Sequence, residues 1–169
     1  MSDKFLRANR ARLSEIGRYQ AERDASGLVI RWRNPARLAR YRPPVPMDLE
    51  FSVERHGRNC DLDDHMFLLM ARVADGLPGL LRQVPLAVMG MPDPDRTFPT
   101  VGAELRRAAR CHDPEAVLRV ERLMPAGRPE YRVHLVVSFI SDGGGSRVQY
   151  FSFDAYALAV TDVEEYGDD

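Results

Sequence analysis

Apolar and polar residues alternate most strictly in the C-terminal third of the chain. Tyr131, Val133, Leu135, Val137 and Phe139 recur at every second position, and Arg132, His134, Val136, Ser138 and Ile140 fall between them. A period of two sends the first set to one face and the second to the other, which describes a half-buried antiparallel strand. A second strand-like run leads to Val160, and the stretch between them, residues 141–146, contains Gly143, Gly144 and Gly145. Glycine accepts the positive φ that a chain reversal needs. The pattern therefore predicts a long hairpin within residues 131–160, around which the rest of the chain is organised.

Elsewhere the period changes. Phe5, Leu6, Ala8, Leu13, Ile16 and Tyr19 share one arc at 100° per residue, with Lys4, Arg7, Arg10 and Arg18 opposite, predicting an amphipathic basic helix over residues 2–25 that stops at Gly27. Residues 28–33 (LVIRWR) alternate as a short strand, Asn34-Pro35 opens a helical turn over 36–41, and Pro43, Pro44 and Pro46 stiffen the chain that follows. Residues 49–54 (LEFSVE) form another strand. Met66, Phe67, Leu68, Leu69, Met70, Val73 and Ala74 leave no continuous polar face, so a buried central helix is predicted over 62–74, ended by the Asp75-Gly76-Leu77-Pro78-Gly79 run. A short buried strand at 86–89 and a helix at 101–111 follow. Residues 116–124 fit either a helix begun at Asp113-Pro114-Glu115 or a strand, and the alternation of Leu118 and Val120 with charged residues favours the strand. The sum is an α+β fold: a mostly antiparallel sheet of about five strands ending in a C-terminal meander, packed on two helices. Three regions result: a basic helical arm with its Pro-rich connection at 1–46, a single α+β domain at 47–160, and an acidic tail at 161–169.

Composition adds exclusions. At 169 residues with 44% hydrophobic and 29% charged content, the chain suits one soluble domain with a core of its own. No apolar run nears the ~20 residues of a membrane span. No hydrophobic leader is read at the N-terminus, so the expected location is the cytoplasm or an assembled particle. Cys60 and Cys111 are too few for a disulfide framework. Among 24 basic residues Lys4 is the single lysine, which removes a Walker A loop and Schiff-base chemistry from consideration. The net charge of −1 hides a split. Residues 1–46 hold 11 Lys+Arg against 4 Asp+Glu, and residues 161–169 hold five acids and no base. Either the two ends meet within the fold or between subunits, or the basic end has an acidic partner.

Three sets of residues carry candidate chemistry. Arg7, Arg10, Arg18, Arg31, Trp32, Arg33, Arg37 and Arg40 form a basic, partly aromatic stretch suited to a protein partner or to self-association. Nucleic acid is the second class of partner for the Arg-rich 4–42 segment, because arginines for phosphates and aromatics for bases are what it requires. His56, Cys60, Asp64 and His65 are ligand-type residues, with Cys111, His112 and Asp113 elsewhere, yet H-x3-C-x4-H matches no common structural zinc spacing. Asp61, Asp63 and Asp64 are more plainly accounted for as caps on the central helix. Gly143–Gly145 precedes no helix and so lacks the geometry of a phosphate cradle. No cofactor is expected. The reading is a non-enzymatic assembly or binding subunit that docks through its basic arm on an acidic partner, as in a phage particle, a secretion machine or an inhibitor-type protein. A small metal-dependent enzyme using residues 56–65 and 111–113, and a nucleic-acid-binding protein, are the alternatives.

Overall fold

The computed structural model describes residues 4–56, 62–84 and 100–167. Helix α1 spans Lys4–Ile16, with Leu13 fully buried and Leu6 and Ile16 packed against the core. It ends nine residues before the predicted limit. Gly17 has φ +147°, which takes the chain out of the helix, and Tyr19–Arg23 forms strand β1. What looked like the last helical turn on periodicity alone is an edge strand, because pairing with strand β2 (Gly27–Trp32) outweighs local helix propensity. Asp24 closes the β1–β2 turn, its carboxylate accepting from the main-chain N–H groups of Ser26 and Gly27 at 2.8 and 2.9 Å. Gly27 does not stop a helix. It begins β2, where a Cβ would lie 2.1 Å from the carbonyl oxygen of Val53.

Helix α2 (Ala36–Ala39) leads to strand β3, Met47–Glu54. Gly27 to Trp32 pair antiparallel with Glu54 to Leu49, so residues 19–32 are woven into the same sheet as the rest of the chain and do not form a separate arm. Helix α3 runs Asp64–Leu80, its first turn capped by the Asp63 carboxylate, which accepts from the Met66 N–H at 3.1 Å. The helix continues through Gly76 and Pro78, which were expected to end it. Leu77 and Leu80 prolong its apolar stripe into the core, and proline removes only one internal hydrogen bond. Gly76 is where Leu158 approaches, 3.0 Å from the position of a Cβ. The helix is not buried all round: Phe67 is half-buried and Leu68 is 60% exposed. The strand predicted at 86–89 lies outside the described residues. Helix α4 (Val101–Ala108) follows, capped by the Thr100 hydroxyl.

The remainder is four strands in sequence: β4 (His112–Leu123), β5 (Glu130–Ile140), β6 (Ser146–Asp154) and β7 (Ala159–Gly167). The ambiguous 116–124 stretch is strand, and Asp113-Pro114-Glu115 is its irregular start rather than a helix cap, with Asp113 at φ +46° and a register shift between His112 and Glu115. The expected three-stranded meander gains a fourth strand, since residues of the supposed acidic tail pair with β6. Among the described residues the sheet has seven strands, where about five were expected, in the order of the sequence. All neighbours are antiparallel except β3 and β4, whose parallel pairing is bridged by the segment containing α3 and α4. Alternation sorts the faces. Ile30, Phe51, Val120, Val133, Leu135, Val137, Phe139 and Phe151 join Leu13, Leu38, Leu69, Val73 and Leu105 of the four described helices in one core. The helices therefore cover one face of the sheet, and the other face carries its polar alternates.

Candidate functional site

The basic stretch divides once it is folded. Trp32 is fully buried, with its ring centroid 5.1 Å from Phe51 and 6.0 Å from Tyr19, and its indole Nε1–H donates to the Leu13 carbonyl at 2.9 Å. It cannot stack on a base or meet a partner. Arg31 lies on the open face of the sheet, 3.5 Å from Asp48 and 3.7 Å from Glu50. Arg37 and Arg40 both reach Asp75 of α3, at 2.8 and 2.7 Å, and Arg40 also lies over the Tyr41 ring at 4.7 Å. The hydrogen bond from Arg37, aided by Arg40, holds the Asp75 carboxyl below the usual aspartate range. These four residues tie the N-terminal elements to the domain.

Arg7, Arg10, Arg18 and Arg33 are different. All four are exposed, and none forms an ion pair with a described residue. Helical geometry explains the first two: Asn9, Leu13 and Ile16 turn inward, leaving Arg7 and Arg10 outward at a spacing of three. Arg12 marks the boundary between the two sets. Its guanidinium lies 4.0 Å from the centre of the Phe67 ring and pairs with Asp64, clamping α1 to the first turn of α3.

The metal candidates are dispersed or engaged. Cys60 and Asp61 lie outside the described residues. Asp64 is held by Arg12. His65 is packed 4.3 Å from the Tyr131 ring and 5.8 Å from the Tyr156 ring, and its Nε2 is hydrogen-bonded to the Tyr156 hydroxyl. His56 is exposed beside Gly127 on the turn between β4 and β5. Among the described residues no three His, Cys, Asp or Glu side chains converge as a metal-binding set. Asp63, read as a cap, does more than cap. Its second oxygen accepts from the Tyr131 hydroxyl at 2.5 Å and lies 3.4 Å from Arg122. Burial, then the Asp63 hydrogen bond, pushes the Tyr131 phenol up to about 12.

A site that sequence reasoning missed lies on the open face of the sheet. Strand register lines up Arg31, Glu50, Arg119, His134, Ser152 and Asp162 in one row from β2 to β7. Glu50 is 7% exposed and accepts from Arg119 Nε at 2.6 Å. His134, on the other side of its strand from the core set, is half-buried between the Ser152 hydroxyl at 3.2 Å and Glu121 at 3.3 Å. The hydrogen bond from His134 holds the Glu121 carboxyl below the ordinary glutamate range, and burial opposes it. Serine, histidine and glutamate are the residue types of a nucleophile relay. Here, however, all three sit mid-strand in β4, β5 and β6, each paired on both sides. Ladder pairing uses the neighbouring N–H groups that an oxyanion would need. The row is a cross-strand charge ladder of the kind that stabilises sheets. Its signal in the sequence was the polar half of each strand's alternation, which cannot be aligned between strands until the register is known.

No family model matches the chain, and it matches none of the curated proteins and none of the solved structures to which it was compared. No helix among the described residues is long and apolar enough to cross a membrane.

Proposed function

We propose that this protein is a non-enzymatic binding or assembly subunit that docks through the outward side of α1 on an acidic protein surface. The observation that carries the reading is the division of the arginines. Arg31, Arg37 and Arg40 find carboxylates within the fold, whereas Arg7, Arg10 and Arg18 are exposed, with none among the described residues. Unscreened like charges on one small surface repel each other, and a partner of opposite sign relieves that repulsion. The nucleic-acid alternative loses its aromatic half, since Trp32 is fully buried and Tyr41 lies under Arg40.

The test is retention on immobilised poly-glutamate and on duplex DNA, for the wild type and for Arg7→Glu/Arg10→Glu/Arg18→Glu. Retention on poly-glutamate that the triple variant loses, with a folded far-UV spectrum in both proteins, is the expected result. Nucleic acid carried through purification, with affinity for DNA falling steeply with log salt, would instead establish the nucleic-acid reading. Indifference of both matrices to the charge reversal would remove the basis for a docking helix.

A further inference from the structure

We infer that the acidic surface is supplied by a second copy of this chain, the β7 edge of one copy receiving Arg7 and Arg10 of α1, and Arg18 just beyond it, from the next. The inference rests on the docking role of α1 proposed above and names its partner. Its starting point is the position of the two charged ends. Residues 1–46 carry 11 basic groups against 4 acidic ones, and residues 161–169 carry five acids and no base. The sheet order places β1 at one edge and β7 at the other. Six strand spacings of ~4.8 Å separate them by roughly 29 Å along the sheet, well beyond the ~8–10 Å over which exposed charges interact in physiological salt. The C-terminal end of helix α1 is anchored by Leu13 to Trp32 of β2 and followed directly by β1, and Arg12 holds the helix against Phe67 and Asp64 of α3, on the helix-covered side of the sheet. Asp162 and Glu164 lie on the open face, away from the helices, and among the described residues no ion pair joins Arg7, Arg10 or Arg18 to a carboxylate of β7, so their complementarity is available between molecules.

The β7 edge is built to take a guanidinium. Its register puts Asp162, Glu164 and Tyr166 on the open face, opposite Ser152, Tyr150 and Val148 of β6. Tyr166 is 55% exposed, and its hydroxyl donates to Glu164 at 2.5 Å. The Tyr150 and Tyr166 rings meet edge to face, 5.6 Å apart at 89°. With Val148 and Glu164 they line a shallow depression of about 310 Å³. A ring face beside a carboxylate is how this chain already binds its own arginines. Arg40 lies over Tyr41 and pairs with Asp75, and Arg12 lies over Phe67 and pairs with Asp64. The depression at β7 offers the same two groups to solvent, and Arg7, Arg10 and Arg18 are the exposed side chains that match them.

Each copy carries one basic end and one acidic edge, so the contact is head to tail. Such a heterologous contact repeats, closing into a ring or extending as a filament, and does not saturate as a two-fold dimer.

The experiment is sedimentation velocity of the full chain over a range of concentration and salt. The expected result is mass rising with concentration at low ionic strength and returning to that of a single chain at high salt. Arg7→Glu/Arg10→Glu/Arg18→Glu alone, and Asp162→Arg/Glu164→Arg alone, each run as single chains. Mixed in equal amounts they associate again, because the reversed helix of one now faces the reversed edge of the other. Tyr166→Ala, which changes no charge, weakens association roughly ten-fold through loss of the ring under the guanidinium. A wild type that stays a single chain throughout, an association indifferent to the β7 variants, or a mixture that fails to recover overturns the inference. A wild type that stays single while binding poly-glutamate sinks the second-copy partner alone and leaves the docking reading standing. Failure on both counts removes both.

Discussion

The indole Nε1–H of Trp32 on β2 donates to the main-chain carbonyl of Leu13 on α1, 2.9 Å away. Leu13 is among the last four residues of its helix, whose carbonyls have no partner within it. A side chain on the sheet thus completes the helix terminus and fixes the end of α1 on the core. Trp32→Phe keeps a ring against Tyr19 and Phe51 but leaves that carbonyl unsatisfied, at a cost of roughly 1–3 kcal/mol. Denaturant unfolding should show the loss, and amide exchange should show α1 opening before the sheet. An α1 as protected in the variant as in the wild type would refute this anchoring.

Two glycine substitutions should have opposite signs. At Gly27 an added Cβ meets the Val53 carbonyl oxygen at 2.1 Å, a main-chain contact that cannot move without breaking the β2–β3 ladder. Gly27→Ala should destabilise by roughly 1–3 kcal/mol or more. Gly79 sits within α3 with nothing within 4 Å of the added carbon. Gly79→Ala should stabilise by roughly 0.5–1 kcal/mol, from helix propensity and a less disordered unfolded chain. Melting temperatures moving in the same direction would contradict this reading of the two sites.

These two glycines also show what the sequence conveyed and what it did not. The β5–β6 hairpin was legible because alternation and a glycine-rich turn agree locally. The first strand, β1, was not. Tyr19 continues the apolar arc of α1, so a period of 3.6 describes residues 5–19 well, and only pairing with β2 reveals the strand. The stop read at Asp75–Gly79 failed for a similar reason, since burial of Leu77 and Leu80 outweighs the local cost of Gly76 and Pro78. The docking arginines were legible as a class but not individually. Arg37 and Arg40 are indistinguishable from Arg7 and Arg10 until α3 brings Asp75 beside them. The acidic residues at 161–169 read as a tail because Asp162, Glu164 and Tyr166 alternate with only one apolar residue, Val163, between them.

Leu68 and Leu69 are neighbours on α3 with opposite surroundings, 60% and 1% exposed. Leu69→Ala opens a cavity in the core and should cost roughly 2–5 kcal/mol. Leu68→Ala should change stability by less than ~0.5 kcal/mol. Equal losses in the two variants would mean that the helix is rotated from its position here.

Tyr131 should resist alkali. Its phenol is raised from 10.0 to about 12 by burial and by the hydrogen bond to Asp63. The folded state therefore holds this proton longer than the unfolded chain does. The resulting stability is complete below pH 10 and falls as pH rises through about 12. Spectroscopic titration of phenolate should show an ionisation near 12 that is lost in Tyr131→Phe, apart from that of Tyr166, whose phenol is raised by its hydrogen bond to Glu164. In Asp63→Asn that late ionisation should move towards 10.0, which would leave burial as the larger surviving cause. A titration unchanged near 12 by Tyr131→Phe would show that Tyr131 is not held protonated by Asp63 and burial.

At acid pH the Glu121–His134 contact sets the sign. The hydrogen bond from His134, assisted by Arg119 and Arg132, depresses the Glu121 carboxyl below its ordinary value of 4.5. A depressed carboxyl binds its proton more weakly in the folded state than in the unfolded one. It contributes stability above about pH 4.5 that is lost as pH falls through the lower, folded value. His134→Ala removes the largest of those causes, so the Glu121 carboxyl moves back up and the acid-unfolding midpoint rises. Glu121→Gln removes the titrating group, and the stability difference from wild type should shrink as the pH is lowered through this window. A double-mutant cycle across the two positions separates this coupling from the loss of packing between strands β4 and β5. A coupling energy independent of pH across that window would assign the contact to packing and not to charge.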